Sequence, residues 1–524
     1  MGTVAELLRA RVADTAPGLT FEDRTWSWAE VVAQCAVRAA WLRDLPRADA
    51  GRPVHVGVLL DNVPEIVFLL GGAALSGAVV VALNTTRTAA ELAGDADHAD
   101  CDLIVTEPRH LATATALAAG RRPVLDHEGA EYAAALAPSA DAAPPETEPD
   151  PADPLMLIFT SGTSGRPRAV RITHRKIVVP GENLAGRLVG PADVVYSPMP
   201  LFHSGAIMAA FAPALVAGAH LVLRRRFSAS GLLTDLREYG VTYLHYVGKA
   251  LSYALAATPE KVDNPLRFAF GNEAAPAEQA AFAERYGCFV IDAYGSTETA
   301  ITFSPDPFGP PGALGKLAEG IAIVDPETAE PCPPGVTGEL VNTASDTLFD
   351  GYYGEEEKEK PRNGWFWSGD YAYADENGYV FFVGRSLDRL RVDGENFGAV
   401  EVERALSALP GPFAIYGVPD VAAGDQVMLA VTGGFDPEEF GALAADLNPK
   451  WVPRYVRVCT ELPMTASNKI LKRRLAAEGW HTSDPVWFRP GREPTYRPLT
   501  PEDVTALREE FARTGRDHLL EGRQ

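Results

Sequence analysis

The feature that most restricts the fold of this chain is a series of short apolar runs, rich in β-branched residues, that alternates with Ala-rich amphipathic segments from residue 54 onward. Strands that are apolar on both faces and separated by helices are typical of parallel sheets that helices cover on both sides. We therefore predict an α/β fold whose large N-terminal domain, residues 1–385, consists of parallel-type sheets sandwiched by helices. The runs that predict strands read VHVGVLL, AVVVAL, CDLIVT, DVVYSPM, AHLVLR, VTYLHYV, LRFAFG and CFVIDAY.

A second domain is indicated by a change in the sequence after GYVFFVGR, which ends at Arg385. A chain of 524 residues is long enough for two domains. The strand-like runs FAIYGVPD and QVMLAVTGG lie among Ala-rich segments beyond Arg385, so residues 386–524 are predicted to form a small α+β C-terminal domain. Within the larger domain, residues 138–154 are rich in Pro, Ala and acidic residues, which indicates an exposed connection.

One uncharged stretch of 18 residues, Ile66 to Leu83, is long enough to be considered as a membrane span. Its glycines and its β-branched end favour a helix, a Gly turn and a buried parallel strand instead. The N-terminus lacks the apolar core of a signal peptide, and the five cysteines lack the spacing of a zinc site or a redox pair. We therefore expect reduced structural thiols in a cytoplasmic protein without an integral membrane segment.

The formal net charge of −23 argues against some classes of partner. A strongly acidic protein repels nucleic acid and anionic membranes at long range, so we expect neither as a partner. A local basic pocket is still sufficient to bind a small anion such as ATP.

The segment LIFTSGTSGRPRAV contains a candidate phosphate-binding loop after an apolar strand. Backbone N–H groups of a tight Ser/Thr/Gly turn form a nest for phosphate oxygens, and Arg166 and Arg168 would add positive charge. The Gly-Lys-Ser/Thr ending of the ATP/GTP P-loop is missing, which excludes that mechanism. A surface linker is the alternative for such a loop taken alone.

Two further motifs add to this loop. YGSTE follows the apolar run CFVIDA, which places an aromatic ring, a hydroxyl and a carboxylate at a strand end, where open α/β sheets bind ligands. WSGD places another carboxylate in a Gly turn. Together these motifs offer a phosphate nest, a flat ring for a base, a carboxylate for magnesium and another for ribose hydroxyls.

In these motifs, the chain from residue 21 to residue 499 resembles the AMP-forming adenylating superfamily, which comprises acyl-CoA synthetases, peptide-synthetase adenylation domains and luciferases. The stretches YLHYVGKALSYAL, FGNEAAPAEQAAFAERYG and GRSLDRLRVDGENFGAVEVE resemble its very-long-chain acyl-CoA synthetase and fatty-acid transport protein subgroup. The motifs that carry the wider resemblance are FTSGTSGRPR, PLFHSGA, YGSTE, SGD, GRSLDRLRVDGEN and LPMTASNKILKRRL.

The resemblance implies a two-step reaction. A carboxylate of a small organic acid joins the α-phosphorus of ATP and pyrophosphate leaves; the small domain, a mobile lid, then rotates and a thiol such as that of CoA attacks. Lys469 on the small domain would reach the carboxylate and the α-phosphate, Thr297 would hydrogen-bond a phosphate oxygen, and Glu298 would hold Mg²⁺. His203 would line the acyl pocket and act beside these catalytic residues.

The resemblance also implies two sets of binding residues. Those expected at the nucleotide are Thr160, Ser161, Gly162, Thr163, Ser164, Gly165, Arg168, Ala274, Ala275, Tyr294, Gly295, Ser296, Asp370 and Arg385. Those expected at the acid substrate are His203, Tyr243, His245, Lys249, Asn272 and Glu273.

Some residues depart from the family pattern. Glu273 stands where a small residue is usual, and Lys249 stands where the subgroup usually has an acid. A wholly apolar tunnel is a costly place for an unpaired charge, so we expect a compact polar aromatic substrate unless these two side chains pair or face solvent. Leu387 and Asp393 put the thioester step in more doubt than adenylation.

Three functions remain open from the sequence. The first is an AMP-forming acyl- or aryl-CoA ligase. The second is an ATP-dependent diazotase of secondary metabolism, which activates nitrite for attack by an aryl amine. The third is a non-catalytic nucleotide-binding protein, against which the presence of Lys469 and Glu298 argues.

Overall fold

The computed structural model describes most of the chain, and its contacts divide into two compact units. The first unit contains residues 1–315 and 342–366, and the second contains residues 316–341 and 367–524. The predicted functional division at residues 385 and 386 stays a prediction. The described residues are 2–46, 51–161, 167–248, 250–274, 276–306, 308–344, 347–355, 362–385, 389–392, 395–421, 424–445, 447–464, 470–491, 493–513 and 520.

The first unit contains two sheets and the helices that cover them. Its strands are β1 (Pro17–Phe21), β2 (Arg24–Ser27), β3 (His55–Leu59), β4 (Val79–Ala82), β5 (Leu103–Thr106), β6 (Val124–Asp126), β7 (Pro154–Ser161), β8 (Pro167–Thr173), β9 (Val194–Ser197), β10 (His220–Leu223), β11 (Tyr243–Val247), β12 (Phe268–Asn272) and β13 (Phe289–Asp292); β14 (Ala313–Lys316) contains the division between the units. Its helices are α1 (Val4–Arg9), α2 (Trp28–Asp44), α3 (Pro64–Ser76), α4 (Ala89–His98), α5 (Leu111–Ala118), α6 (Ala130–Leu136), α7 (His174–Ala185), α8 (Ser204–Ala206), α9 (Ala212–Ala217), α10 (Leu232–Glu238), α11 (Ala250–Ala257) and α12 (Pro276–Tyr286). A π-helical turn spans Ile207–Phe211, and short 3₁₀ turns span Pro108–His110, Ala137–Ser139 and Arg362–Gly364.

Both sheets of the first unit are mainly parallel, as the apolar runs predict. One has the strand order β6-β5-β3-β4-β7-β8 and the other the order β13-β12-β11-β9-β10-β1-β2. Only the edge pairs β7–β8 and β1–β2 are antiparallel among these pairings. All of the strands predicted from the eight apolar runs are present, which confirms the α/β fold class for this unit.

The uncharged stretch from Ile66 to Leu83 folds as predicted. It forms most of α3, a left-handed turn at Gly77 with φ of 78°, and β4. β4 lies between β3 and β7 and is parallel to both, so both of its edges are paired, and all four of its residues are buried. Within the described residues, no helix is long and apolar enough to cross a membrane.

The second unit is built on two further groups of strands. Its strands are β15 (Ile321–Val324), β16 (Gly338–Asn342), β17 (Phe366–Ala374), β18 (Tyr379–Arg385), β19 (Arg389–Val392), β20 (Glu395–Gly398), β21 (Phe413–Asp420), β22 (Gly424–Thr432), β23 (Tyr455–Cys459), β24 (Val486–Phe488) and β25 (Arg497–Pro498). Its helices are α13 (Ala399–Ala405), α14 (Pro437–Ala444), α15 (Lys472–Glu478) and α16 (Pro501–Arg513).

The strands of the second unit are mainly antiparallel. β18, β17, β16 and β15 lie side by side in that order, and β21 pairs with β22 beside the run β20-β19-β22-β23-β24-β25. Alternate residues of β21 pack into different apolar clusters: Phe413 and Ile415 into one, Ala414 and Tyr416 into the other. Both faces of this sheet are therefore buried, as expected where helices cover it on two sides.

Candidate functional site

The candidate nucleotide site lies beyond the end of β13, where the YGSTE segment begins. β9, β11, β12 and β13 are parallel neighbours, so their carboxyl ends meet at one edge of the sheet, the usual position of a ligand in such folds. Tyr294 packs its ring edge-on against Phe303, with 5.5 Å between the centroids. Gly295 is exposed, while Ser296, Thr297 and Glu298 are half-buried.

The main chain of this segment is held by side chains from distant parts of the sequence. The Lys176 ammonium donates to the carbonyl oxygen of Glu298 at 2.7 Å. The side-chain amide of Asn342 donates to the Ala300 carbonyl at 2.5 Å. These contacts hold the peptide group that precedes Thr299 and the peptide group that follows Ala300.

Thr299 itself has a left-handed backbone with φ of 55°, which is uncommon and costly for a β-branched residue. Its hydroxyl lies 3.3 Å from the carbonyl oxygens of Ser296 and Thr297, and its amide donates to Ser296 at 3.0 Å. The turn persists because these contacts over-determine it. Strain of this kind clusters at functional sites, and it lies next to Glu298.

The Glu298 carboxylate accepts a hydrogen bond from the Tyr352 hydroxyl at 3.1 Å. Burial first, and then the Glu298 charge, raise the pKa of Tyr352, so this phenol stays protonated and donates. The Arg168 guanidinium lies 3.4 Å from the centroid of the Tyr352 ring and donates to Glu355 at 2.9 and 2.7 Å. Lys176, Tyr352 and Glu355 belong to no motif that the sequence analysis used.

The phosphate-loop candidate joins β7 to β8, which pair as antiparallel strands. Thr160 lies opposite Arg168, and Ser161 lies opposite Pro167. This strand pair forms the edge of the six-stranded sheet, and Val170 of β8 bridges to Tyr352. The predicted phosphate ligands Gly162, Thr163, Ser164 and Gly165 and the side chain of Ser161 lie outside the described residues, so their roles stay predictions.

The segment that carries His203 is held at two points, one of which is a contact with the candidate site. The buried Asn62 side chain donates to the Met199 carbonyl at 2.6 Å and accepts from the Leu201 amide at 2.7 Å. The Ser204 hydroxyl lies 3.1 Å from that of Thr297. The half-buried His203 is thereby placed one residue from a contact with Thr297, as the motifs predict of a shared site.

Tyr243 and His245 are buried. The Tyr243 hydroxyl and Nδ1 of His245 have partners in the protein, whereas Nε2 of His245 is buried with no described hydrogen-bond partner. The Tyr243 hydroxyl donates to the Ala209 carbonyl in the π-helical turn at 2.8 Å. His245 Nδ1 lies 3.1 Å from the Phe270 carbonyl, and burial lowers the pKa of His245 to about 4. The imidazole is therefore neutral, with Nδ1 as the donor. A Cβ on Gly205 would lie 3.4 Å from His245 Nε2, so this ring packs beside the His203 segment.

The segment after β12 contains Asn272, Glu273 and Ala274. Glu273 is exposed and has a left-handed backbone with φ of 70°, the conformation that the usual glycine adopts most readily. Asn272 is half-buried. The Ala274 amide donates to Asp292 at 2.9 Å, and burial raises the pKa of Asp292 to about 6. The exposure of Glu273 agrees with the alternative that its carboxylate faces solvent.

Two predicted ribose ligands, Asp370 and Arg385, lie in the second unit on neighbouring strands. Their backbones are opposite each other in the β17–β18 register. Asp370 is buried, and its amide donates to the Ser368 hydroxyl at 3.0 Å. The Arg385 side chain, Lys249, Ala275 and Lys469 lie outside the described residues.

The described donor set suits the ligands that the motifs imply. Glu298 and Thr297 offer a carboxylate and a hydroxyl, the hard oxygen ligands that Mg²⁺ prefers. Glu298 is half-buried and its described side-chain contact is with a neutral phenol, so its negative charge is not matched there by a guanidinium. The geometry thus fits a magnesium-bound phosphate beside Thr297.

Comparison with known proteins identifies the family and related enzymes. Residues 9–353 match the family model "AMP-binding enzyme". The chain is 44% identical over 501 residues to a medium/long-chain-fatty-acid–CoA ligase, FadD17, of Mycobacterium marinum, with 93% of this chain and 98% of the relative covered. It is 42% identical over 553 aligned positions to the steroid-22-oyl-CoA synthetase of Rhodococcus jostii, with 99% of each covered.

The fold likewise matches solved structures. The anthranilate CoA ligase AuaEII, in complex with anthranoyl-AMP, superposes with a TM-score of 0.81 at 22% sequence identity, over 92% of this chain and 98% of that one. At this level of identity the likeness concerns the fold, and it confirms the predicted two-domain α/β class.

The chain belongs to the AMP-binding enzyme family. It is an ATP-dependent, AMP-forming acid–CoA ligase, which confirms the first of the three functions left open by the sequence.

Proposed function

We propose that this ligase activates a large apolar acid, of the medium- or long-chain fatty acyl or steroid acyl class, and transfers it to CoA. The observation that carries the proposal is identity of 42–45% over 93–99% of the chain to ligases named for such acids. The named relatives give no support to nitrite and an aryl amine as substrates, and that alternative stays untested.

The acyl side of the site is compatible with an apolar substrate. The Tyr243 hydroxyl and Nδ1 of His245 donate hydrogen bonds to main-chain carbonyls, and His245 is neutral. Glu273, which the sequence suggested as a partner for a polar group, is exposed. A fatty or steroid acid would therefore not strand the Tyr243 hydroxyl or Nδ1 of His245 by displacing water from them, and Nε2 of His245 is already buried with no described hydrogen-bond partner.

The roles of the site residues follow from the motifs and the contacts, and they are part of the proposal. Glu298 holds Mg²⁺ and Thr297 contacts a phosphate oxygen. Asp370 and Arg385 hold the ribose, and Tyr294 lies on the adenine. Lys469 stabilises the charge that develops as the acid joins the α-phosphate. The protein acts mainly by placing these groups before the reaction, so little reorganisation is needed in the transition state.

A pyrophosphate-release screen tests the proposal. The acids are a long-chain fatty acid, a steroid acid with a side-chain carboxylate, benzoate and an aminobenzoate, each with and without CoA, and nitrite with an aryl amine is a separate reaction. We expect the highest kcat/KM for the first two acids and acyl-CoA formation only when CoA is present. A preference for the aminobenzoate would favour a compact polar aromatic substrate over a large apolar acid. Turnover only with nitrite and the aryl amine would establish the diazotase.

Lys469→Ala and Lys472→Ala provide a matched pair for the same screen. Lys469→Ala should lose most adenylation and keep ATP binding, because its interaction forms mainly in the transition state. Lys472 instead pairs with Glu403 at 2.9 Å, so Lys472→Ala removes a charge from the same segment and should keep its activity.

A further inference from the structure

Lys176 is a buried lysine whose contacts point to the candidate magnesium ligand. It lies in the first turn of α7, and its side chain is 0% exposed. A lysine is rarely buried so completely, since the loss of water disfavours its charge. Its ammonium donates to the Glu298 carbonyl at 2.7 Å, so the cost of burial is offset at the residue proposed to bind Mg²⁺.

Among the described residues, three charged side chains influence this ammonium. Burial lowers the pKa of Lys176 to about 8, the negative charges of Glu298 and Asp350 raise it, and the positive charge of Arg175 lowers it. Arg175 is itself paired with Asp350. The Phe349 ring lies 5.5 Å from Nζ. Asp350 therefore interacts with both Arg175 and Lys176. The described hydrogen bond of the Lys176 ammonium is to the main-chain oxygen of Glu298.

A neutral donor would be sufficient to satisfy the Glu298 carbonyl. Along the same loop, the Ala300 carbonyl is held by the neutral amide of Asn342, and the Ser296 carbonyl accepts from the Thr299 hydroxyl and amide. A charged donor forms a stronger hydrogen bond than a neutral one. Lys176 also contacts the loop directly before its strained turn at Thr299, where it can help to keep that turn in place.

We propose that Lys176 is a positioning residue that fixes the Glu298 main chain and so aims the Glu298 carboxylate at the Mg²⁺ of Mg·ATP. This inference rests on the proposed function, since it assumes that Glu298 binds the metal. Lys176 touches neither the substrate nor the reacting atoms; it acts through Glu298.

Calorimetric binding of ATP, with Mg²⁺ and with EDTA, tests this role without turnover. The variants are Lys176→Met, which keeps the aliphatic chain, and Lys176→Gln, which keeps a neutral donor. We expect Lys176→Met to weaken Mg·ATP binding by about 10-fold, the lower end for residues that orient a metal ligand, and to leave metal-free ATP binding unchanged. Lys176→Gln should lose less.

The control is Arg285→Met. Arg285 also donates to main-chain carbonyls, those of Leu255 at 2.7 Å and Thr258 at 2.9 Å, but next to α11 and away from YGSTE. This variant should bind ATP as the wild type does under both conditions. Thermal melting of each variant identifies any that does not fold, and Lys176→Gln carries the test if Lys176→Met fails.

A double variant decides whether the effect passes through Glu298. In a Glu298→Gln background, Lys176→Met should cause no further loss of Mg·ATP affinity, since the carboxylate it positions is gone. Equal losses with Mg²⁺ and with EDTA, or an additive loss in the double variant, would overturn the inference. A wild type that binds Mg·ATP but forms no acyl-CoA would instead count against the proposed function.

Discussion

Two clusters in the first unit each combine carboxylate and cationic side chains. They differ in whether the cation contacts the carboxylate. The first, the Glu107 cluster, consists of Asp61, Glu107, His110, Arg109 and Arg225 near the carboxyl ends of β3, β5 and β10. Ligand-type atoms of its two acids and its histidine lie within 4.8 Å of one another. Arg225 donates to Glu107 at 2.5 Å, Arg109 to Asp61 at 2.5 Å, and His110 lies 2.9 Å from Asp61.

The second cluster, the Glu298 cluster, consists of Glu298, Lys176, Tyr352 and Thr297. Its single carboxylate meets a phenol, and its cation contacts the main chain rather than the carboxylate. Distance alone would select the Glu107 cluster as a metal site. The guanidinium groups there already neutralise both acids, so that cluster stabilises the fold, whereas Glu298 keeps a charge for a ligand.

The largest effect that separates the clusters is expected in catalysis. Glu298→Gln should lower kcat/KM by about 100-fold at limiting Mg²⁺, the size seen when one stabilising group is lost, and more Mg²⁺ should recover part of it. Glu107→Gln should stay within about 3-fold of wild type at 25 °C if it only destabilises the fold. Pyrophosphate release measured across a Mg²⁺ titration gives both numbers, and similar Mg²⁺ curves for the two variants would erase the distinction.

The order reverses for stability. Glu107 is buried, and it accepts from the Asp61 amide at 2.7 Å as well as from Arg225. Glu107→Gln should lower the free energy of unfolding by about 2–3 kcal/mol, somewhat less than a fully buried pair because Arg225 is partly exposed and can be hydrated. Glu298→Gln should change it by less than about 1 kcal/mol. Urea denaturation of both variants measures the difference, and equal midpoints would contradict it.

Acid should have a smaller effect than these substitutions, and it should affect the Glu107 cluster less than it affects the buried His174. Burial raises the pKa of Asp61, but the His110 hydrogen bond and the charges of Arg109, His110 and Arg225 outweigh it and lower the pKa below its usual value. Its contribution is therefore present above about pH 3.8 and is lost only as the pH falls further. The Glu107 cluster should keep this charge at pH 5.

His174 responds to acid sooner. It lies on α7 two residues before Lys176, its Nδ1 accepts from the Val4 amide at 3.2 Å, and burial lowers its pKa to about 4. Between about pH 6.5 and 4 the unfolded chain binds a proton that folded His174 refuses, so stability falls as the pH falls, by up to about 1.4 kcal/mol per pH unit. His174→Gln should remove this part of the slope in urea titrations at pH 7, 6 and 5. An unchanged slope would show that His174 is protonated in the folded state.

The sequence predicts the apolar parts of this molecule better than the polar ones. The strands and the helix–turn–strand from Ile66 to Leu83 follow from local periodicity, and the motifs predict roles for Thr297 and Glu298 that stay predictions. The sequence does not single out Lys176, Tyr352 or Asn342. Their importance comes from contacts with residues 298 and 300, which lie 122, 54 and 42 residues away along the chain. Local patterns do not encode such long-range contacts.

Glu273 shows a further limit. The sequence leaves two possibilities open for Glu273, a charge at the acyl pocket or a side chain that pairs with Lys249 or faces solvent, and the structure places it in an exposed left-handed turn. Only the backbone angle, which the sequence does not state, explains why a glycine is usual there.

The interleaving of the two units has a consequence for biosynthesis. The first unit is complete only when residues 342–366 return to it, after residues 316–341 have been committed to the second unit. Arg168 meets Glu355 across 187 positions of sequence, and such distant pairings form slowly because a long loop must close first. A nascent chain that has emerged only to residue 315 therefore lacks Tyr352 and Glu355. Residues 316–341 of the second unit must therefore be synthesised before the first unit can be completed.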